Sequence, residues 1–244
     1  MDLAATLDAQ PITIEYHFRL ADGRTEVFAV RLDEMSMEML PEEPTPLPEW
    51  TRLTFRQCAH CPLNPAEHAR CPLAVRLSRL VMQFGSVMSH EELELEVRGP
   101  ERIISQKTTA QRALGSFMGL VMATSGCPHL TFFRPMARFH LSLSNHEETV
   151  YRAASMYLLA QYYKHVSGQP ADLSLEGLVH MYDHVHQVNT DFAERLRAAH
   201  PVDADALINA VVVLDSFAQL LPLSVRRSLV RLRHLFAPFF VHQP

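Results

Sequence analysis

Residues 12–20, ITIEYHFRL, alternate apolar and polar side chains without a break. Ile12, Ile14, Tyr16, Phe18 and Leu20 share one face, and Thr13, Glu15, His17 and Arg19 the other, the period-two signature of a half-buried strand. Asp22-Gly23 is a hairpin turn signal, and residues 25–32, TEVFAVRL, return as a second strand. Residues 92–98, ELELEVR, alternate again, and Gly99-Pro100 turns the chain into a further strand that begins RIISQ.

Between these hairpins the pattern changes. Residues 40–49, LPEEPTPLPE, hold four prolines and three acids. Proline lacks the backbone donor that helices and central strands need, so this stretch reads as an extended linker. A helix is predicted from Pro72 through AVRLSRLVMQF. From residue 108 onward the period is helical. A first helix is expected over 109–125, with Thr108 and Gln111 in capping-box spacing and Gly126 as its terminator. A second spans 145–166, capped by Ser144 with Glu147. A third spans 173–199. A fourth runs over 203–221 and is broken by Pro222, after which Ser224 caps a last helix, VRRSLVRLRHLF.

These elements predict an α+β fold: antiparallel hairpins and a helix in residues 1–107, packed on an all-helical part in residues 108–244. The length of 244 residues, with 48% hydrophobic and 20% charged content, suits a soluble globular chain. The net charge of −5 argues against a nucleic-acid binder. The charge is uneven: residues 1–107 hold 17 acids and 11 bases, and residues 108–244 hold 10 acids and 11 bases. The start, MDLAATLDAQP, lacks a basic region and a long apolar run, and no apolar stretch is long enough to span a bilayer. A cytoplasmic location is therefore expected, where thiols stay reduced and clustered cysteines serve as metal ligands or redox groups rather than disulfides.

That expectation bears on residues 58–73, CAHCPLNPAEHARCPL, which hold three of the four cysteines. The spacing is Cys58-x2-Cys61-x9-Cys71, and Cys127 follows after 55 further residues. A C-x2-C unit lets two thiolates approach one metal from the same side. Cys71 falls at the N-cap before Pro72, where the helix dipole favours a thiolate. Cys127 follows the helix-ending Gly126. Together Cys58, Cys61, Cys71 and Cys127 form a candidate four-thiolate centre. Cysteine followed by proline recurs at iron–sulfur ligands, and Cys61, Cys71 and Cys127 all show it, so a [4Fe–4S] cluster is expected ahead of zinc. His60, His68 or His129 could replace one thiolate. The plainer alternatives are buried cysteines packed as small hydrophobes and a redox dithiol at Cys58/Cys61.

Other features bear on function less directly. His180 and His184 share a helical face, as a two-histidine metal site would, although a solvated polar face looks the same. Arg134, Arg138, His140 and Tyr151 suggest a substrate or anion pocket beside Cys127. Gly115 and Gly119 allow close approach to the central helix. Arg226, Arg227, Arg231 and Arg233 could face a partner, and the apolar end LFAPFFV could dock on the body or on a second subunit, leaving homo-oligomer formation open. No phosphate-binding glycine loop and no G-x-S-x-G occurs.

The run KTTAQRALGSFMGLVMATSGCPHLTFFRPMARFH, followed by EETVYRAASMYLLAQYY and preceded by CAHCPL and CPLA, resembles an uncharacterised bacterial family of unknown function over most of residues 55–165. The resemblance implies a bacterial cytosolic protein and brings no reaction or ligand set. The expectation from the residues is a metal-binding protein whose four-cysteine centre is structural or senses redox state or iron. An enzyme with a pocket around Arg134 and His140, redox or metal-assisted hydrolytic, is the first alternative. An interaction module docking through the carboxy-terminal basic helix is the second.

Overall fold

The computed structural model describes residues 10–41, 46–200 and 202–241, with backbone alone for 221–224, 226 and 241. Part of the proline-rich linker lies outside the described residues. Four strands, β1 (Ile12–Leu20), β2 (Thr25–Leu32), β3 (Glu92–Arg98) and β4 (Ile103–Thr109), form one antiparallel sheet in the order β2-β1-β3-β4. The alternation of β1 is realised: Tyr16 and Phe18 are fully buried, while Arg19 faces water and pairs with Glu94 of β3 at 2.9 Å. Burying one face fixes the register, because a one-residue slip would expose every apolar side chain.

Two helices, α1 (Pro72–Phe84) and α2 (Ala110–Thr124), cover the apolar face. Phe84 of α1 meets Phe18 edge-on at 5.0 Å, and Phe117 of α2 meets Tyr16 edge-on at 5.1 Å. The remaining helices are α3 (Arg134–Arg138), α4 (His146–Val166), α5 (Glu176–Ala199), α6 (Asp205–Leu232) and the short α7 (Pro238–Val241). Helix α2 lies between the sheet and α6. At Gly115 an added Cβ would sit 3.6 Å from the Ala210 carbonyl, and at Gly119 3.7 Å from Leu214; both are ordinary van der Waals distances, so the crossing of α2 with α6 has room for alanine at either position. Buried side chains from the sheet and from the helices join in one hydrophobic cluster.

Three local expectations are corrected. Helix α2 starts at Ala110 without a Thr108 cap, because β4 continues to Thr109 opposite Glu92. Its first donors are met by backbone instead: Ala110 N–H donates to the Glu91 carbonyl at 2.8 Å and Gln111 N–H to that of Ser89 at 3.1 Å. Helix α4 is capped one residue later than expected, by Asn145 with Glu148 in a reciprocal capping box. Helix α6 runs through Pro222 to Leu232, uniting two expected helices. Ala218, Val225 and Leu232, on both sides of the proline, are buried, and that packing outweighs the one hydrogen bond the ring removes. Among the described residues, no helix is long and apolar enough to cross a membrane.

Candidate metal centre and interior cavity

Cys58 and Cys61 lie on one tight turn, closed by Cys61 N–H donating to the Cys58 carbonyl at 3.0 Å. Gln57 Nε2 steadies the turn by donating to the Leu63 carbonyl at 2.9 Å. The loop from 53 to 71 is pinned at its base, where Leu53 N–H reaches the Ala69 carbonyl at 3.0 Å and Cys71 N–H the Thr51 carbonyl at 2.9 Å. Cys71 is the residue before Pro72 at the start of α1, as its sequence predicts. Cys127 follows Gly126, whose φ of +89° turns the chain sharply away from α2.

The segment before Cys58 is anchored by a residue that sequence reading missed. Arg195 of α5 is 1% exposed and no carboxylate pairs with it among the described residues. Its guanidinium donates to the carbonyls of Trp50 and Arg52 at 2.8 Å, of Arg56 at 3.0 Å and of Leu53 at 3.4 Å. The fixed fork of donors suits such a cradle of backbone oxygens. No local signal marks this residue, because its partners lie 139 to 145 positions away.

The four thiols are all free and half-buried. They lie close enough to feel one another's charge. Burial pushes the Cys58 thiol up to about 12, and Asp191 and the other three cysteines add to the rise. Burial pushes Cys127 up to about 11, against the pull of the His129 backbone N–H on its sulfur; Cys71 and Cys61 raise it further, and the Leu130 N–H also lowers it. Two N–H groups directed at one sulfur favour its thiolate. The sulfurs are not gathered at single-metal spacing. Among the described residues, the one group of three potential ligands with all ligand atoms within 4.8 Å is His60, His129 and His184.

These three histidines come from the Cys58–Cys61 turn, the turn after Cys127, and α5. Their rings are layered, with centroids 4.2 Å apart for His60/His129 and 5.1 Å for His129/His184. His129 Nε2 donates to the His60 carbonyl at 2.9 Å, which leaves its Nδ1 lone pair free. His60 Nε2 is buried without a hydrogen-bond partner among the described residues. Burial holds His60 below the usual imidazole range, His129 and His184 push the same way, and Asp191, 3.8 Å away, opposes them. The expected pair of His180 with His184 does not form a site: His180 is exposed beside Asp183, while His184 joins the other two. His68 is exposed and outside the group.

The expected pocket residues are dispersed. Arg134 pairs with Glu38 at 2.6 Å, and Arg138 lies 3.6 Å from Glu101. Tyr151 lines a groove of about 500 Å³ between α4 and the carboxy-terminal segment, together with Leu229, Phe236 and Phe240. This groove and the exposed Val230, Leu235 and Phe239 form an apolar surface next to the exposed Arg227, Arg231 and Arg233. Of these residues only His140 reaches a second cavity, a space of about 600 Å³ that is lined by residues from α2 to α6 and partly open to solvent. Its Nε2 is hydrogen-bonded to the Tyr16 hydroxyl, which lies 3.0 Å from Ser116 Oγ. Leu143 N–H donates to Ser116 Oγ at 3.1 Å, which orders the chain Leu143, Ser116, Tyr16, His140. Burial, aided by Arg152, pushes His140 down to about 3, so it is neutral and its Nε2 accepts a hydrogen bond from the tyrosine hydroxyl.

No curated protein and no solved structure matches the chain. Over residues 14–237 the sequence matches a family described as a domain of unknown function, DUF6901, and the chain belongs to that family.

Proposed function

We propose that this is a metal-binding protein whose centre is held by Cys58, Cys61, Cys71 and Cys127. The observation that carries the reading is their mutual influence: three segments, distant in sequence, bring four thiols within reach of one another's charge. One zinc ion with Zn–S bonds of about 2.3 Å would need its four sulfurs only about 3.8 Å apart. The cysteines are spread more widely than that. In an iron–sulfur cluster each thiolate binds a different iron, so a wider cage is required. We therefore favour a [4Fe–4S] cluster over zinc. Bound, it would add electron-transfer or oxidant-sensing chemistry, and the residues would serve to hold it between the sheet's loops and α5.

The spacing of His60, His129 and His184 supports a second reading, in which the imidazoles hold a single divalent ion. Loading the reduced, oxygen-free protein with iron and sulfide, and separately with cobalt(II), separates the two. A thiolate-held cluster gives a broad visible charge-transfer band, which Cys58→Ser and Cys127→Ser each diminish. Imidazole-held cobalt gives weak visible bands alone, which His184→Ala removes. Absence of both signals would overturn the metal-binding reading.

A further inference from the structure

The cavity lined by His140 and Arg152 carries an inference independent of the metal. At about 600 Å³ it falls in the range of small-molecule sites, about 300–1,000 Å³. Most of its wall is apolar, including Leu120, Phe133 and Leu214, while the half-buried Arg152 and the exposed Arg112 supply two guanidinium groups, and no carboxylate is found among its described lining residues. That is a cationic lining in a chain of net charge −5. Arg152 spends one nitrogen, Nη2, on the carbonyls of Met136 at 2.8 Å and Phe139 at 2.9 Å, and no ion pair is formed by it among the described residues. The one carboxylate that acts on it, Glu148, is tied into the cap of α4 through Asn145 N–H at 2.8 Å. Asn189, also in the wall, is 0% exposed, and neither amide atom has a hydrogen-bond partner among the described residues. Leaving such a group unpaired is costly, and a polar ligand group would relieve it.

We propose that the cavity binds a small amphiphilic organic anion, its headgroup held by Arg152 beside Asn189 and its apolar body against Leu120, Phe133 and Leu214. A carboxylate and a phosphate monoester share that chemistry. Isothermal titration calorimetry with decanoate, decyl phosphate and decanol tests it on the full chain. At least one anion should bind with one-to-one stoichiometry and at least about tenfold more tightly than the alcohol, since hydrogen bonds to a charged group are worth about ten- to a hundredfold. The tighter of the two anions identifies the headgroup. Arg152→Met should weaken the anion by a similar factor and leave decanol unchanged. Because Arg152 also secures two carbonyls, Arg112→Met and Asn189→Leu provide variants that keep those bonds. Arg112→Met should weaken the anion, and Asn189→Leu should raise the melting temperature while weakening it. Equal binding of anion and alcohol, no saturable binding of either anion, or anion affinity untouched by every variant that folds would overturn the proposal.

Discussion

Single side chains set the chemistry on both sides of α5. Cys58 and Cys127 have thiols raised to about 12 and about 11 by burial, so both are protonated in the metal-free fold at neutral pH. Metal must displace those protons, so apparent affinity should rise with pH, as chelator competition across the neutral range would measure. Without metal, the buried thiols favour the fold fully below the free-thiol value of about 8.5. That contribution is lost as pH climbs toward their folded values, so alkaline denaturation should come earlier in the metal-free form. His140 works in the opposite direction. Its pKa is lowered to about 3, so it adds stability above the free-imidazole value of about 6.5 that disappears as pH falls toward 3. In His140→Gln, denaturant unfolding measured against pH should show a flatter loss between those limits. A slope equal to that of the wild type would place the proton uptake elsewhere.

At the scale of elements, the alternation of β1 was legible because it depends on one repeating face, whereas the small residues of α2 did not tell how closely it meets α6. The cap of α4 was legible to within one residue, since Ser144, Asn145, Glu147 and Glu148 offer two overlapping boxes and only packing selects one. The run through Pro222 was not legible, because a local rule about proline yields to burial on either side of it. Arg195 was hidden for a stronger reason: its value lies wholly in contacts between α5 and the stretch before Cys58. Arg195→Leu would leave up to four carbonyls without this donor, each costing about 1–3 kcal/mol if water cannot reach it. Urea unfolding should register a loss of about 3 kcal/mol or more, with metal content reduced alongside. At the start of α5, Asp172 accepts from Tyr157 at 2.7 Å and from Gly177 N–H at 3.0 Å. A Cβ at Gly177 would run into the Tyr157 hydroxyl, so Gly177→Ala should cost about 1–3 kcal/mol by the same assay.

Across the whole molecule, α5 is a shared wall. Tyr182, Val185 and Asn189 line the cavity, while His184 and Asp191 belong to the histidine and cysteine region. The proposed four-cysteine centre rests on local facts, the C-x2-C spacing and the helix-end positions of Cys71 and Cys127. The histidine trio was not legible, because His184 is paired in sequence with His180 and in space with His60 and His129. The pocket was misplaced for a related reason: Arg134 and Arg138 find acids near the sheet, whereas Arg152 remains without one. A metal joining Cys58, Cys61 and Cys71 to Cys127 would tie the loop before α1 to the turn after α2. Its removal should lower the melting temperature of the whole chain in one cooperative step.

The most direct test is metal and sulfide analysis, with a visible absorption spectrum, on protein purified without oxygen. A brown protein with about four irons and four sulfides per chain, reduced strongly in Cys127→Ser, is the predicted result. A colourless, folded protein that holds neither iron nor zinc, and takes up neither when reconstituted under reducing conditions, would contradict the account.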